Sequence, residues 1–263
     1  MFENQIVAVT GASGGIGRAI AEMFAQNGAT VAVSDLSPPK DAARALGTKP
    51  YTCDVSFEPS VIDFIDQVEA DLGPVDIFVS NAGIGAGNGP HVAGGSNESW
   101  EGAWRVNVMG SVYAARRLMP GWLDRGQGRF VITASAAGLL NQVGSASYSA
   151  TKHAAVSFAE SIAIEHGDDG IKSHCICPQY VRTNMTAGTD FSGQREELLE
   201  PEDVANALKA AIENDKFLVL PHPVAQDYYI ARAADTDAWL SGMRRMLAKL
   251  KASRSYIFSK DKD

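Results

Sequence analysis

The fold of this chain is constrained most by an alternation along its length, in which short β-branched apolar runs are separated by longer stretches of helical periodicity. The six clearest runs are "QIVAVT", "TVAVSD", "PVDIFVS", "GRFVITAS", "IKSHCIC" and "KFLVLP". Strands that alternate with helices pair in parallel, and a run that is apolar throughout is typical of a strand covered by helices on both faces. The alternation therefore predicts an α/β fold with a doubly wound parallel sheet.

A weaker run and the continuity of the chain complete this interpretation. "PYTCDV" follows a short helical stretch at residues 39–46, and residues 57–72 have the periodicity of a further helix. No Ser- or Pro-rich stretch divides the sequence, and α/β chains of this length commonly fold as one unit. We expect about seven strands in a single domain over residues 1–263.

Composition excludes several classes of function. The 263 residues are 45% hydrophobic and 21% charged, which is typical of a globular protein, and the net charge of −8 disfavours nucleic acid or an anionic membrane as a partner. No apolar run has the length of a membrane span and no leader pattern opens the sequence, so we expect a cytoplasmic protein. Cys175 and Cys177 lack metal-ligand spacing, so we expect reduced core thiols and no metal.

A glycine-rich turn in "VAVTGASGGIGRAIAEMF" joins a strand to a helix. Gly11, Gly15 and Gly17 would let the backbone and the helix N-terminus approach a pyrophosphate, as in a Rossmann fold; the alternative is a turn that only packs helix on strand. Asp35 ends the second strand eighteen positions after Gly17, near the spacing of about 20 expected for a carboxylate that binds the adenine ribose. Its alternative is a turn residue before "LSPP".

The same carboxylate favours NAD over NADP. A 2′-phosphate placed roughly 4 Å from Asp35 would meet a repulsion of about 1 to 4 kcal/mol. Leu36, the next residue, offers no cation to compensate.

Tyr148 and Lys152 lie four positions apart in "ASYSATKH", so both side chains would emerge from one helix face. Oxidation of an alcohol needs a base at the oxygen, and the ordinary tyrosine pKa near 10 must fall to about 7 or 8 for this role. The Lys152 ammonium and an oxidised nicotinamide would both favour the phenolate. His153 is about 140° off this face and is expected to be structural.

Taken together, the glycine turn, Asp35 and the Tyr148–Lys152 pair resemble the short-chain dehydrogenase/reductase family in its compact single-domain form, over the chain to about Pro223. "CDV" at 53–55, "NAG" at 81–83, "RVNVMGSV", a serine thirteen positions before Tyr148 and "PQYVRT" also match family motifs. The resemblance implies a catalytic set of Asn107, Ser135, Tyr148 and Lys152. It implies cofactor contacts from Gly11, Ser13, Gly14, Gly15, Ile16, Gly17, Asp35, Leu36, Asp54, Val55, Asn81, Ala82, Gly83, Tyr148, Lys152, Pro178, Val181 and Thr183.

Individual roles follow from the same resemblance. Asp54 would face the adenine amino group, and Thr183 would hold the nicotinamide carboxamide. Ser135 would hydrogen-bond the substrate oxygen, with a strand-end hydroxyl that satisfies backbone as its alternative. Asn107 could hold a water that links Lys152 to solvent, or it could shape a helix kink.

Two positions depart from the family pattern. The family commonly has glycine where this chain has Gln179, and often asparagine where it has Ser80. Gln179 would place a bulky amide beside the nicotinamide site, where it could shape substrate choice.

These features predict an NAD-dependent oxidoreductase that interconverts a secondary alcohol and its ketone. Two alternatives remain: a family member without net redox chemistry, and an NAD-binding sensor without turnover. The resemblance also implies a homotetramer or homodimer built through helices at residues 107–125 and 147–166.

The substrate itself is constrained only weakly. The segment 183–200 is typical of a substrate lid. The C-terminal helix and tail, 224–263, could be an oligomer contact, a wall of the substrate pocket or a solvated cap. The remaining candidates suggest a moderately hydrophobic, uncharged small molecule. They are His91, Val92, Leu140, Asn141, Gln142, Gln179 and Met185.

Overall fold

A computed structural model describes residues 1–85, 91–187 and 197–252 of the chain. Residues 188–196 of the expected lid and the tail from residue 253 lie outside the described residues, as does part of the glycine-rich loop after residue 85.

Seven strands form one parallel sheet in the order β3-β2-β1-β4-β5-β6-β7. They are β1 (Ile6–Thr10), β2 (Thr30–Asp35), β3 (Pro50–Thr52), β4 (Ile77–Ser80), β5 (Gly128–Thr133), β6 (Ile171–Ile176) and β7 (Leu218–Val219). The predicted doubly wound α/β fold with about seven strands is confirmed.

Helices connect these strands. They are α1 (Gly15–Gln26), α2 (Lys40–Leu46), α3 (Glu58–Leu72), α4 (Asn97–Trp104), α5 (Gly110–Arg125), α6 (Ala137–Leu140), α7 (Ala146–His166), α8 (Pro201–Glu213), α9 (Val224–Ala234) and α10 (Thr236–Ala252). A π-helical segment, Arg105–Met109, joins α4 to α5, and a 3₁₀ turn spans Asn184–Thr186.

The helices cover both faces of the sheet and form two hydrophobic cores. On one face α1, α2 and α8 pack buried side chains such as Phe24 and Leu208 against the sheet. On the other face α3, α5 and α7 contribute Phe64, Trp122 and Ile162. This coverage explains why the strands are apolar on both sides, as the sequence indicated.

The predicted C-terminal helix is wrong in one respect, because residues 224–251 form two helices rather than one. The chain is extended at Asp235, with φ −149° and ψ 91°. Its carboxylate Oδ1 accepts a hydrogen bond from the Ala238 amide at 2.9 Å. Asp235 therefore ends α9 and caps the start of α10, and the cap satisfies an amide that would otherwise be unpaired.

The described residues were also expected to hold reduced cysteines in the core. Cys53, Cys175 and Cys177 are all free and buried. Within the described ranges, no group of His, Cys, Asp and Glu is arranged to hold a metal ion. No helix there combines the length and apolar character that crossing a membrane requires.

The contact between β5 and α5 gives a test of the packing. A Cβ on Gly128 would lie 2.2 Å from Cδ2 of Trp122, whose ring is 1% exposed. The indole Nε1 donates to the Val75 carbonyl at 2.7 Å, so the ring cannot move away freely. We expect Gly128→Ala to lower the free energy of unfolding by about 1 to 3 kcal/mol, measured by urea denaturation.

Gly121, an exposed residue of α5, provides the matched control. A Cβ there meets no described atom within 4 Å. Gly121→Ala should leave stability unchanged or raise it by up to about 1 kcal/mol. Equal losses in the two variants would contradict the packing described.

Candidate active site

The candidate residues gather at the edge of the sheet where the parallel strands end. The glycine turn follows β1, Asp35 ends β2 and Asn81 follows β4. Ser135 lies two residues beyond β5 and Pro178 two residues beyond β6. Because β1 and β4 are neighbours at the point where the strand order reverses, this edge contains the crevice in which such sheets bind ligands.

The glycine turn is pressed closely against the loop after β4. Gly11 has φ +66°, and a Cβ on Gly17 would lie 2.4 Å from both Gly11 O and Asn81 Nδ2. Asn81 Nδ2 donates to the carbonyls of Thr10 and Gly11, each at 3.1 Å. Glycine is therefore required at both positions by the backbone conformation and the close approach.

Gly14 lies on the open side of the same turn. A Cβ added to it would meet no described atom within 4 Å. It precedes α1, whose first turn has no acidic residue. Free backbone amides and an unopposed helix dipole make this a favourable place for an anion.

Asp35 is held beside this turn by backbone amides. Its Oδ2 accepts from Ser13 N at 3.0 Å and its Oδ1 from Leu36 N at 2.8 Å. The carboxylate forms no ion pair with any described Lys or Arg, and Leu36 is 68% exposed. A carboxylate fixed by two backbone amides therefore lies beside the glycine turn, and its binding of a ribose stays a prediction.

Asp54 and Val55, the residues expected on the adenine side, lie near the same edge of the sheet and contact neighbouring protein residues. Asp54 Oδ1 accepts from Ser56 N at 2.9 Å and from Ser56 Oγ at 2.7 Å. Val55 is buried against Gly110, where an added Cβ would come within 2.9 Å of Val55 Cβ. These contacts fix the loop after β3.

The ends of the expected lid meet at one place. Val181 pairs with Leu199, and Arg182 N donates to Leu199 O at 2.9 Å. The Thr183 methyl lies 3.1 Å from the position of a Cβ on Gly15, so the segment begins directly over the glycine turn. Met185 is 54% exposed. A lid function for residues 183–200 stays a prediction.

Tyr148 and Lys152 lie on α7 and Ser135 lies opposite them. Lys152 Nζ is 5.6 Å from the centroid of the Tyr148 ring. Lys152 is 4% exposed and donates to the Thr133 carbonyl at 2.8 Å. The Ser135 hydroxyl, 9% exposed, accepts from Ala137 N at 3.1 Å and hydrogen-bonds the Tyr148 phenol.

The expected direction of the Tyr148 pKa is wrong for the protein by itself. Burial raises the pKa of Tyr148, and the hydrogen bond with Ser135 only partly opposes this. Burial also lowers the pKa of Lys152 to about 8. Each group loses solvation of its charged form on burial, and this loss is the largest effect on both pKa values. A lowered Tyr148 pKa therefore needs a further positive charge beside the phenol.

Asn107 lies in the π-helical segment, and its side chain makes three hydrogen bonds. Its Oδ1 accepts from Ile84 N at 2.9 Å, and its Nδ2 donates to Ile84 O and to Thr151 Oγ1, each at 3.0 Å. The side chain thus ties the loop after β4 to α7. Its position in the π-helical segment agrees with the kink alternative, and the water-holding role stays a prediction.

Five of the seven substrate candidates fall into two groups. Leu140, Asn141 and Gln142 follow Ser135 along the chain; Leu140 is buried in the core, and Asn141 adopts φ +68°. His91 and Val92 are exposed, and their described contacts do not include Ser135 or Tyr148.

Gln179 is half-buried directly after Pro178, whose carbonyl accepts from Ser135 Oγ at 3.5 Å. Gln179 is therefore the direct neighbour of a residue that contacts Ser135.

Sequence reasoning missed several contacts of the site. Arg232 of α9 donates to the Leu139 carbonyl and lies 3.2 Å from His153 Nε2, while His153 Nδ1 is 2.8 Å from the Ser149 carbonyl. His153 is thus bound to its own helix and to α9, as a structural role predicts. Arg232 thus joins α9 to the segment after Ser135, whereas α10 contributes no buried residue. The three alternatives for the C-terminal region stay predictions.

A family model described as short chain dehydrogenase matches residues 5–191. The chain belongs to the short-chain dehydrogenase/reductase family. It is 34% identical to meso-2,3-butanediol dehydrogenase from Serratia marcescens over 236 residues, which cover 81% of this chain and 89% of that protein.

Solved structures of the family have the same fold. A short chain dehydrogenase/reductase from Burkholderia phymatum in complex with NAD has a TM-score of 0.78 at 27% identity, covering 90% of this chain and 95% of the other. A 3-ketoacyl-(acyl-carrier-protein) reductase from Brucella melitensis complexed with NADH has a TM-score of 0.77 at 27% identity, covering 84% and 96%.

Burial of Lys152 predicts that this residue destabilises the protein near neutral pH. Its pKa falls from the ordinary 10.5 to about 8, so below pH 8 the folded protein must bury an ammonium. Lys152→Met should therefore raise the free energy of unfolding at pH 7, by about 1 to 3 kcal/mol.

The pH dependence distinguishes this cause from simple packing. Between pH 8 and 10.5 the unfolded chain keeps the Lys152 proton and the folded protein releases it, so the wild type gains stability as pH rises. The difference between wild type and Lys152→Met should shrink over this range in denaturation curves. Lys40→Met, at an exposed position, is the control. A difference that is independent of pH would contradict the prediction.

Proposed function

We propose that the protein is an NAD-dependent oxidoreductase that interconverts a secondary alcohol and its ketone. The observation that carries the proposal is the convergence of Ser135, Tyr148 and Lys152 at the same sheet edge as the glycine turn and Asp35. Membership of a dehydrogenase family and the names of relatives, such as butanediol dehydrogenase, support the reaction class.

The described residues fit a nicotinamide dinucleotide. The open space at Gly14 and the α1 N-terminus suit a pyrophosphate, and Asp35 offers a fixed carboxylate to a ribose with free hydroxyls. The residues that would hold the cofactor are those expected from the sequence, from Gly11 to Thr183. When bound, oxidised NAD supplies a hydride acceptor and a positive charge near the phenol.

In the direction of oxidation, Ser135 Oγ donates a hydrogen bond to the substrate oxygen and orients it toward Tyr148. The Tyr148 phenolate would accept the hydroxyl proton as the carbinol C–H bond breaks and the C=O bond forms; oxidised NAD, when held by the residues named above, would supply the acceptor for the hydride. The Lys152 ammonium stabilises the phenolate. In reduction, the phenol returns the proton to the ketone oxygen.

Two alternatives are tested by the same experiment. A sensor would bind NAD without turnover and has no need of the Ser135, Tyr148 and Lys152 set. A non-redox family member would transform substrate without changing nicotinamide absorbance. Purified protein should be incubated with NAD and a broad panel of secondary alcohols, and with NADH and the matching ketones, while nicotinamide absorbance is followed. NAD binding without turnover across the panel would favour the sensor.

Three wider expectations accompany this proposal. We propose that residues 1–263 act as one catalytic domain and that the protein assembles as a homotetramer or homodimer through α5 and α7. We also expect a cytoplasmic location. Size-exclusion chromatography with light scattering tests the assembly.

Replacement of the phenol gives a test of the mechanism. Tyr148→Phe removes the proton acceptor but keeps the ring over Lys152, so kcat should fall by at least about 100-fold. The Kd for NAD, measured by isothermal titration calorimetry, should change little. A variant that retains full activity would show that another group carries the proton.

Cofactor preference should depend on the charge of residue 35. Asp35→Ser removes the repulsion toward a 2′-phosphate, so the ratio of kcat/KM for NADP to that for NAD should rise by at least about tenfold. Asp41→Ser is a suitable control because Asp41 is exposed and outside the turn. An unchanged ratio would mean that Asp35 does not face the ribose.

A further inference from the structure

Two buried side-chain polar atoms, Thr133 Oγ1 and Gln179 Oε1, have no hydrogen-bond partner within the part of the chain that the structure describes. Both belong to the edge of the sheet that contains the candidate active site. Thr133 ends β5 two residues before Ser135, and Gln179 directly follows Pro178 beyond β6. Buried polar groups are ordinarily paired, so an acceptor that is unpaired at this edge of the sheet lacks a donor that a bound molecule could supply.

The backbone holds Gln179 firmly in relation to Ser135. The Pro178 carbonyl accepts from Ser135 Oγ at 3.5 Å and from Ala136 N at 2.8 Å. On the other side, Gln179 N donates to His222 Nδ1 at 3.3 Å.

His222 is itself a fixed support for this amide. It is 4% exposed, and its Nε2 lies 3.1 Å from the Glu197 carbonyl. The two contacts hold the ring between Gln179 N and the Glu197 carbonyl. The peptide between Pro178 and Gln179 is therefore anchored from both sides, and its carbonyl accepts a hydrogen bond from the serine that would bind the reacting oxygen.

We propose that Gln179 Oε1 accepts a hydrogen bond from a hydroxyl group on the carbon next to the reacting carbinol. The substrate class is then a vicinal diol, with the α-hydroxyketone as its oxidised partner. This inference rests on the proposed function, in which Ser135 and Tyr148 bind the first hydroxyl. Glycine, which is common at this position in the family, could not make the contact.

The neutral amide selects among donors. An ammonium group could also donate to Oε1, but a buried cation needs a counter-charge that a glutamine does not provide. A hydroxyl satisfies the acceptor without bringing a charge into the crevice. The acceptor also distinguishes the diol from a simple alcohol, because a substrate that lacks the second hydroxyl leaves the buried oxygen unpaired.

The test compares vicinal diols with the monoalcohols that lack one hydroxyl, such as cyclohexane-1,2-diol and cyclohexanol. The wild type should have the higher kcat/KM for the diols. Gln179→Met, which keeps the length of the side chain and removes the acceptor, should lower kcat/KM for diols by at least about tenfold. The loss for monoalcohols should be smaller, so the ratio of kcat/KM for diols to that for monoalcohols should fall, while the Kd for NAD should change little.

Two further variants sharpen this test. Gln179→Glu keeps acceptor oxygens and should retain the preference for diols, whereas Gln127→Met, at an exposed glutamine, should behave as wild type. Loss of the preference in Gln179→Glu as well as Gln179→Met would overturn the acceptor role. Equal losses on both substrate types with weaker NAD binding would place the amide against the cofactor and overturn the proposal.

Failure of the proposed function has a different signature. If the wild type binds NAD but turns over no alcohol of either type, the oxidoreductase proposal is refuted and this inference falls with it. If the wild type turns over both types at equal efficiency and Gln179→Met does the same, only the diol inference is refuted.

Discussion

Pairing of β1 with β4 is the constraint on which the candidate site depends. Val7, Ala8 and Val9 pair with Ile77, Phe78 and Val79 at the centre of the sheet. At the end of this pair the buried Thr10 hydroxyl donates to Val79 O at 3.3 Å and accepts from Asn81 N at 3.1 Å. The glycine turn and the loop after β4 are thereby fixed to each other. A register shift of one residue would reverse the faces of the side chains and separate them.

The second constraint is the close packing of α7, which carries Tyr148 and Lys152. Its buried residues are mostly small, and Ser147, Ser149 and Thr151 are between 1% and 3% exposed. A Cβ on Gly138 of α6 would lie 2.5 Å from the Lys152 carbonyl. Such contacts hold the lysine where solvent cannot reach it. A buried ammonium beside a buried phenol opposes stability, and the surrounding hydrophobic cores must offset that cost.

Much of this architecture could be predicted from the sequence, because it depends on residue types. Apolar runs indicated the strands, and helices predicted at 39–46 and 57–72 begin one residue later, at Lys40 and Glu58. The sequence also revealed the glycine turn, Asp35 and the helical spacing of Tyr148 and Lys152. The break at Asp235 was not, since "AADTDAW" has good helical periodicity on both sides of it.

Hydrogen bonds from side chains to backbone carbonyls could not be predicted from the sequence. Lys152 binds the carbonyl of Thr133, and Arg232 binds that of Leu139; any residue type could supply either group. The direction of the Tyr148 pKa was missed for a related reason. Spacing places the two side chains on one face, but the extent of their burial depends on the neighbouring strands and on α6.

Two residues that support the candidate site lie outside the part of the chain that the family model matches. The family model ends at residue 191, whereas Arg232 and His222 lie beyond it. Arg232 reaches the segment after Ser135 and the residue next to Lys152, and His222 supports the amide of Gln179. The described C-terminal region thus contacts the segment after Ser135 and the amide of Gln179, where several substrate candidates are predicted. A change there could alter which alcohol is bound while Ser135, Tyr148 and Lys152 keep their positions, so reaction class and substrate choice can vary separately in this fold.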